Sequence, residues 1–116
     1  LLLARAVANV LLKVKSLSHL FLENNVLTDE DAKVIVKGLN DNYTLETINL
    51  SGNKIGDIGV EAFAEMLQHN KCLQIMNLDY NIISPVGIAK LSTVFQRFEN
   101  STLTIFVREN DFRLVD

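Results

Sequence analysis

The feature that most constrains this chain is an internal repeat. LSHLFLENNVL (Leu17 to Leu27), LETINLSGNKI (Leu45 to Ile55) and LQIMNLDYNII (Leu73 to Ile83) share apolar residues at offsets 0, 3, 5 and 10 and asparagine at offset 8. Their starts fall 28 residues apart, twice. A period of this length means stacked supersecondary units, each burying its apolar face against its neighbours. A fourth copy starts at Leu103 as LTIFVRENDFR, with Phe106 at offset 3, Arg108 at offset 5 and Asp111 in the asparagine slot. It is degenerate, and a two-residue insertion between Phe95 and Leu103 precedes it.

Between the blocks the apolar period changes. Ile35 and Leu39, Phe63 and Leu67, and Leu91 and Phe95 recur four apart, with Ala32, Ala62 and Ala89 nearby, as amphipathic helices require. Thr28 with Asp31 predicts a capped helix start, Ser84 before Pro85 predicts another, and Gly56 is a weaker cap. Leu3, Val7, Val10, Leu11 and Val14 predict one face of a helix belonging to a repeat whose strand precedes residue 1. The chain begins without Met inside an apolar run, which points to a piece of a longer protein.

Strands alternating with helices imply right-handed crossovers and a parallel sheet. Ile48 and Leu50 flank Asn49, and Met76 and Leu78 flank Asn77, so one sheet face is apolar and the other open. The predicted fold is an α/β solenoid with a concave parallel sheet and convex helices. It divides into a helix of a partial repeat over 1–16, repeats over 17–44, 45–72 and 73–102, and a terminal strand or cap over 103–116.

The pattern LxxLxLxxNxL followed by a helix resembles the leucine-rich repeat family, in its long ribonuclease-inhibitor-like class. Ser51 to Leu73 lies close to that class's consensus, including Gly59 at the helix start and Cys72 just before the next leucine. The chain departs from it at Asp31, where the family favours glycine, and at Arg108 in a core slot.

Asn25, Asn53 and Asn81 sit where the backbone leaves each strand and loses its ladder partners. An amide offers both donors and an acceptor there, which predicts a buried asparagine ladder. The side chains alternating with the core leucines form the candidate partner-binding face: His19, Phe21 and Glu23; Thr47, Asn49 and Ser51; Ile75, Asn77 and Asp79 with Tyr80; and Ile105, Val107 and Glu109. This set is apolar, aromatic and acidic, with no lysine or arginine, which suits docking of a protein with a basic or amphipathic surface. In the last row a second register competes. It turns Ile105 and Val107 inward and Arg108 outward.

Other chemistry is thinly represented. A net charge of −3 argues against nucleic acid and anionic membranes, and no apolar stretch reaches spanning length. His19 and His69 fall in different elements, so no metal site with Cys72 is expected. Cys72 reads as a small buried residue, and as the single cysteine it points to a reducing, cytoplasmic compartment, to which the resemblance to bacterial repeat effectors adds delivery into a host cytosol. Asp29, Glu30 and Asp31 read as acids at a helix start, SGNKIG lacks the spacing of a phosphate loop, and the sequons at Asn42, Asn49 and Asn100 read as chance in an asparagine-rich chain. Neither catalytic residues nor cofactors are predicted. If Leu1, Leu2, Leu3 and Val7 lie bare, end-to-end self-association follows.

The resemblance implies a non-catalytic protein-interaction module, as in the repeats of NOD-like receptors and of host-directed bacterial effectors. Similar repeats also build the Ran GTPase activators and the actin-end-binding tropomodulins. No residue of this chain matches a functional motif of either.

Overall fold

The computed structural model describes residues 1–97 and 102–111. Eight elements alternate along the chain: α1 (Leu2–Lys13), β1 (His19–Phe21), α2 (Asp29–Asn40), β2 (Thr47–Asn49), α3 (Asp57–Leu67), β3 (Ile75–Asn77), α4 (Pro85–Arg97) and β4 (Thr104–Phe106). The strands form one parallel sheet in sequence order, and each helix packs against the next. Each strand is only three residues long, because its role is to place one or two core residues per turn of the solenoid. Ile48, Leu50, Met76 and Leu78 point inward and are fully buried, meeting Ile35, Leu39, Phe63 and Met66 from the helices. Val7 and Leu11 of α1 are buried in the same core, whereas Leu2 at 84% exposure, Leu3, Val10 and Val14 are not. The predicted apolar face of α1 is thus only half used, and Val7 is not bare. Phe95 on α4 is likewise more exposed than its spacing with Leu91 suggests.

The asparagine ladder joins the turns and runs one member further than expected. Asn53 Oδ1 accepts the N–H groups of Asn25 and Leu27, each at 2.9 Å, while its Nδ2 donates to the carbonyls of Leu22, Leu50 and Ser51. Asn81 repeats this pattern one turn on, accepting from Ile55 and donating to Leu50, Leu78 and Asp79. Asn53 and Asn81 are buried, but Asn25 is exposed. It borders the edge strand β1, with no described turn beyond it to receive its amide. The fourth member is Asn110, not Asp111: it accepts from Ile83 and donates to Leu78, Val107 and Arg108.

A second pair, Asn42 and Asn70, does the same for the helix ends. Asn42 donates to Leu11 O and accepts from Leu45 N; Asn70 donates to Leu39 O and accepts from Leu73 N. Each ties the last turn of the helix one repeat earlier to the start of the strand that follows it in sequence, satisfying carbonyls that a helix end leaves open. Asn42 is fully buried, which leaves its sequon no room for a glycan.

Helix starts are capped across turns. Asp29 Oδ1 accepts from Gly56 N at 2.7 Å and Gly59 N at 3.0 Å of the next turn, so the weak cap at Gly56 is made good by an acid 27 residues earlier. Asp57 takes the same place for Ser84, accepting from both its N–H and its hydroxyl. Asp31 instead caps its own helix by accepting from Thr28 N at 2.8 Å. Glu30 is an exposed partner of Lys33.

The last strand takes the second register. β3 pairs with β4 as Ile75 to Thr104, Met76 to Ile105 and Asn77 to Phe106, a step of 29 residues where the earlier steps are 28. One residue is therefore inserted rather than two: Thr102 stands at the register position of the first leucine but is exposed, and Leu103 packs against the core. The residues around the insertion, 98–101, lie outside the described residues, as do the Asn100 sequon and the 112–116 part of the proposed cap. The physical reason for the register is that a one-residue slip exchanges the two faces of a strand. The register counted from Leu103 would drive the Arg108 guanidinium into the core at the level of Leu78, an unpaired buried charge. The observed one packs Ile105 and Val107 against the core instead.

Candidate functional site

The open sheet face is built of cross-strand rows. In the first, His19, Thr47, Ile75 and Thr104 stand in register; in the second, Phe21, Asn49, Asn77 and Phe106 do. Glu23, Ser51, Asp79 and Arg108 follow at the strand ends, linked by backbone bonds from Asn24 to Ser51, Gly52 to Asp79 and Tyr80 to Arg108. Phe21 and Tyr80 are 64% and 63% exposed, and Ile75 and Phe106 are 39% exposed. Ile105 and Val107 are therefore not on this face. Thr104, Phe106 and Arg108 take their places, and Glu109 is exposed at the turn beyond. Sequence reasoning left out Thr104 and Phe106, and reached Arg108 only through the second register, because it counted the fourth copy from its leucine. Counting back from Asn110 would have found them.

That shift changes the electrostatics. Asp79, expected as a steering acid, is buried at 3% exposure. Its carboxylate accepts from Arg108 N, from Arg108 Nη2 at 2.8 Å and from Arg108 Nε at 3.1 Å, and this bonding and charge raise the arginine's pKa. The guanidinium carbon also lies 5.9 Å from the Phe106 ring centroid, within cation–π reach. The face is thus not purely acidic: it holds an internal ion pair, with the Glu23 and Glu109 side chains at its edges. Asp79 serves as a clamp on β4. Asp79→Ala is expected to speed hydrogen exchange at Thr104 to Arg108 while leaving β1 and β2 protected, and equal protection of β4 in both proteins would remove the clamp.

Tyr80 carries a further mark. It has φ 57°, in the left-handed region, at the turn position where the other repeats place Asn24, Gly52 and Glu109. Glycine or asparagine suits such a position. A bulky residue there costs about 1–2 kcal/mol, and such strain clusters at working surfaces. Here it holds an exposed ring at the rim of the sheet.

Asn49 and Asn77 each fold back on their own strand end, Oδ1 accepting from Ser51 N at 3.0 Å and Asp79 N at 2.9 Å. Both are half-buried, and a glycan on Asn49 would cover the face. Cys72 is half-buried rather than buried, with its thiol donating to Tyr43 O at 2.9 Å. Its neighbour in sequence logic, Thr44, makes a comparable bond back to Leu17 O, so the slot serves to link turns. His19 and His69 are exposed on β1 and just after α3. Among the described residues, no three of His, Cys, Asp and Glu gather as a metal site, and no helix is long and apolar enough to cross a membrane.

The comparisons agree with this architecture. A leucine-rich repeat family model matches residues 41–64. The Caenorhabditis elegans tropomodulin C-terminal domain superposes with a TM-score of 0.76 at 16% identity, covering 90% of this chain and 63% of that one. The leiomodin-1 actin-binding site 2 structure gives 0.72 at 25% identity, covering 97% of this chain and 62% of that one. The chain thus spans less than two thirds of the length of either structure. No curated protein matches its sequence. Repeat motif, parallel sheet, flanking helices and asparagine ladder converge with these likenesses: the chain has the leucine-rich repeat fold.

Proposed function

We propose that this array is a non-catalytic protein-interaction module whose partner docks on the open sheet face. The observation that carries this reading is the apolar and aromatic group Phe21, Ile75, Tyr80 and Phe106, exposed on the side of the sheet that no described helix covers. Aromatic anchors surrounded by polar neighbours are the usual composition of binding hot spots. Glu23 and Glu109 at the edges favour a partner with basic residues. The repeat length and full helices suit the ribonuclease-inhibitor-like class. We place the module in the cytosol, whether of its own cell, in a setting like that of NOD-like receptors, or of a host that receives it.

The test is affinity capture from eukaryotic cell lysate with wild type and with Phe21→Ala plus Tyr80→Ala, both shown folded by circular dichroism. A partner recovered by wild type and reduced at least tenfold in the variant is the expected outcome. Equal recovery by both would move the site to the helices or the ends. Asp79 stays unchanged in this variant because it is buried beneath the face.

Actin is the second reading, favoured by the likeness to a structure described as an actin-binding site of leiomodin-1 over 97% of this chain. Actin cosedimentation and filament elongation assays test it. No binding and no change in elongation would set it aside without touching the docking face itself.

A further inference from the structure

We propose that the occupant of the open face is an extended peptide segment lying across the strands, with two apolar side chains four positions apart, a small residue midway, and basic flanks. This rests on the docking face argued above and specifies what lies on it. The starting observation is the direction of two amides. Asn49 and Asn77 are register partners on adjacent strands, and each commits its Oδ1 to a backbone N–H two residues on. Only the oxygen can accept that proton, so the Nδ2 group of each must face the other way, over the sheet. Neither Nδ2 donates to a described residue. Two donors therefore stand side by side, about 4.8 Å apart, in a row that ends in Phe21 on one side and Phe106 on the other.

This arrangement discriminates among partner chemistries. Donors excluded from water need acceptors, or each costs part of the affinity. Carboxylates are disfavoured as those acceptors, because Glu23 and Glu109 lie alongside, whereas the charge of Asp79 is already paired with Arg108. A helix has its carbonyls bonded internally and would leave both amides unpaired. An extended segment keeps its carbonyls open along its sides, where amides rising from the sheet reach them. The spacing also fits. Phe21 and Phe106 stand three strand spacings apart, about 14 Å, and residues i and i+4 of an extended chain are about 13 Å apart on one face. Residue i+2 then lies over the two asparagines, so only a small side chain is accommodated. The acids at the edges select lysine or arginine in the flanks.

The experiment uses three fluorescent peptide pools in binding titrations with the whole chain. The first has Lys flanks and Leu-Thr-Ser-Thr-Leu at its centre, with the leucines varied over apolar residues and the threonines favouring an extended strand. The second omits one spacer residue, and the third replaces the threonines by α-aminoisobutyric acid to enforce a helix. The expected result is binding of the first pool at least tenfold tighter than the others, and a loss of tenfold or more in Asn49→Asp plus Asn77→Asp. Aspartate keeps the acceptor for each turn and puts a carboxylate where the amide was. If the added charge unsettles the fold, Asn49→Ser plus Asn77→Ser keeps an acceptor and removes the amide. Equal binding of all pools, no binding of the first, or binding indifferent to the asparagines overturns the inference. Phe21→Ala separates the levels: if it still abolishes capture of a protein partner, the docking face stands with a different occupant, and if it does not, the face itself falls.

Discussion

Asn53→Leu is expected to destabilise the array by about 3 kcal/mol or more, with urea or thermal unfolding as the measurement, while Asn25→Leu costs less than about 1 kcal/mol. The two residues occupy the same slot of successive repeats and carry the same side chain, but their surroundings differ. Asn53 is buried and serves five backbone groups on two turns. Leucine has the same branched skeleton but is larger and apolar, so the N–H groups of Asn25 and Leu27 lose their acceptor and Leu22 O loses this donor, while Leu50 O and Ser51 O keep the bonds from Asn81 Nδ2 and Asn24 N. An unpaired buried group costs about 1–3 kcal/mol, and partial hydration keeps the total below the full sum. Asn25 is exposed, and its amide makes one local bond to Glu23 O. For a chain of this size the Asn53 change corresponds to a fall in melting temperature of roughly 10 °C or more. Equal effects at the two positions, or a shift of only about 2 °C for Asn53→Leu, would mean that the ladder does not bear the load assigned to it.

Gly59→Ala is the second large effect, and its sign is unusual. Within a helix, replacing glycine by alanine ordinarily stabilises by about 0.5–1 kcal/mol. Here a Cβ would stand 2.7 Å from Asp29 Oδ1 and 2.8 Å from Ile55 Cγ2. The carboxylate cannot swing aside freely, since it caps α3 through Gly56 N and Gly59 N. The expected outcome is a loss of about 2 kcal/mol, from crowding and a weakened cap together. The double variant Asp29→Ala plus Gly59→Ala should lose less than the sum of its parts, because the clash with the carboxylate is then gone and the cap is lost only once, while the contact with Ile55 Cγ2 remains. Strict additivity in a double-mutant cycle would count against this account. Asp57 and Gly87 form the same pair one turn on. The departure at Asp31 fits the same rule: the acid slot that would face it is occupied by Leu1, so the position has no carboxylate to accommodate and supplies its own.

Much of this molecule was legible in the linear chain. The 28-residue spacing of Leu17, Leu45 and Leu73 determined the strand order and the parallel sheet, because units that bury their apolar faces only against their neighbours have one way to stack. Alternation around Asn49 and Asn77 identified the open face, and the offset-8 asparagines identified the ladder. The fourth copy was not legible in the same way. Leu103 mimics a repeat start, and apolar residues at both alternations left two registers open until pairing with β3 and the exclusion of Arg108 from the core decided between them. The acidity assigned to the face failed for the same reason, since Asp79 and Arg108 meet only in the observed register.

The sequence by itself therefore determined the repeat architecture, the core and the side of the sheet left open, all of which follow from periodic burial of apolar residues. Only the tertiary structure decided which residues the last strand presents, that Asp79 lies beneath the face rather than on it, that Asn42 and Asn70 close the helix ends, and that Asp29 and Asp57 cap the helices of the following turns. Each of these depends on a polar contact between residues about one repeat apart. Such contacts are set by distance and angle between neighbouring turns, and a pattern of apolar positions along one chain leaves those undetermined.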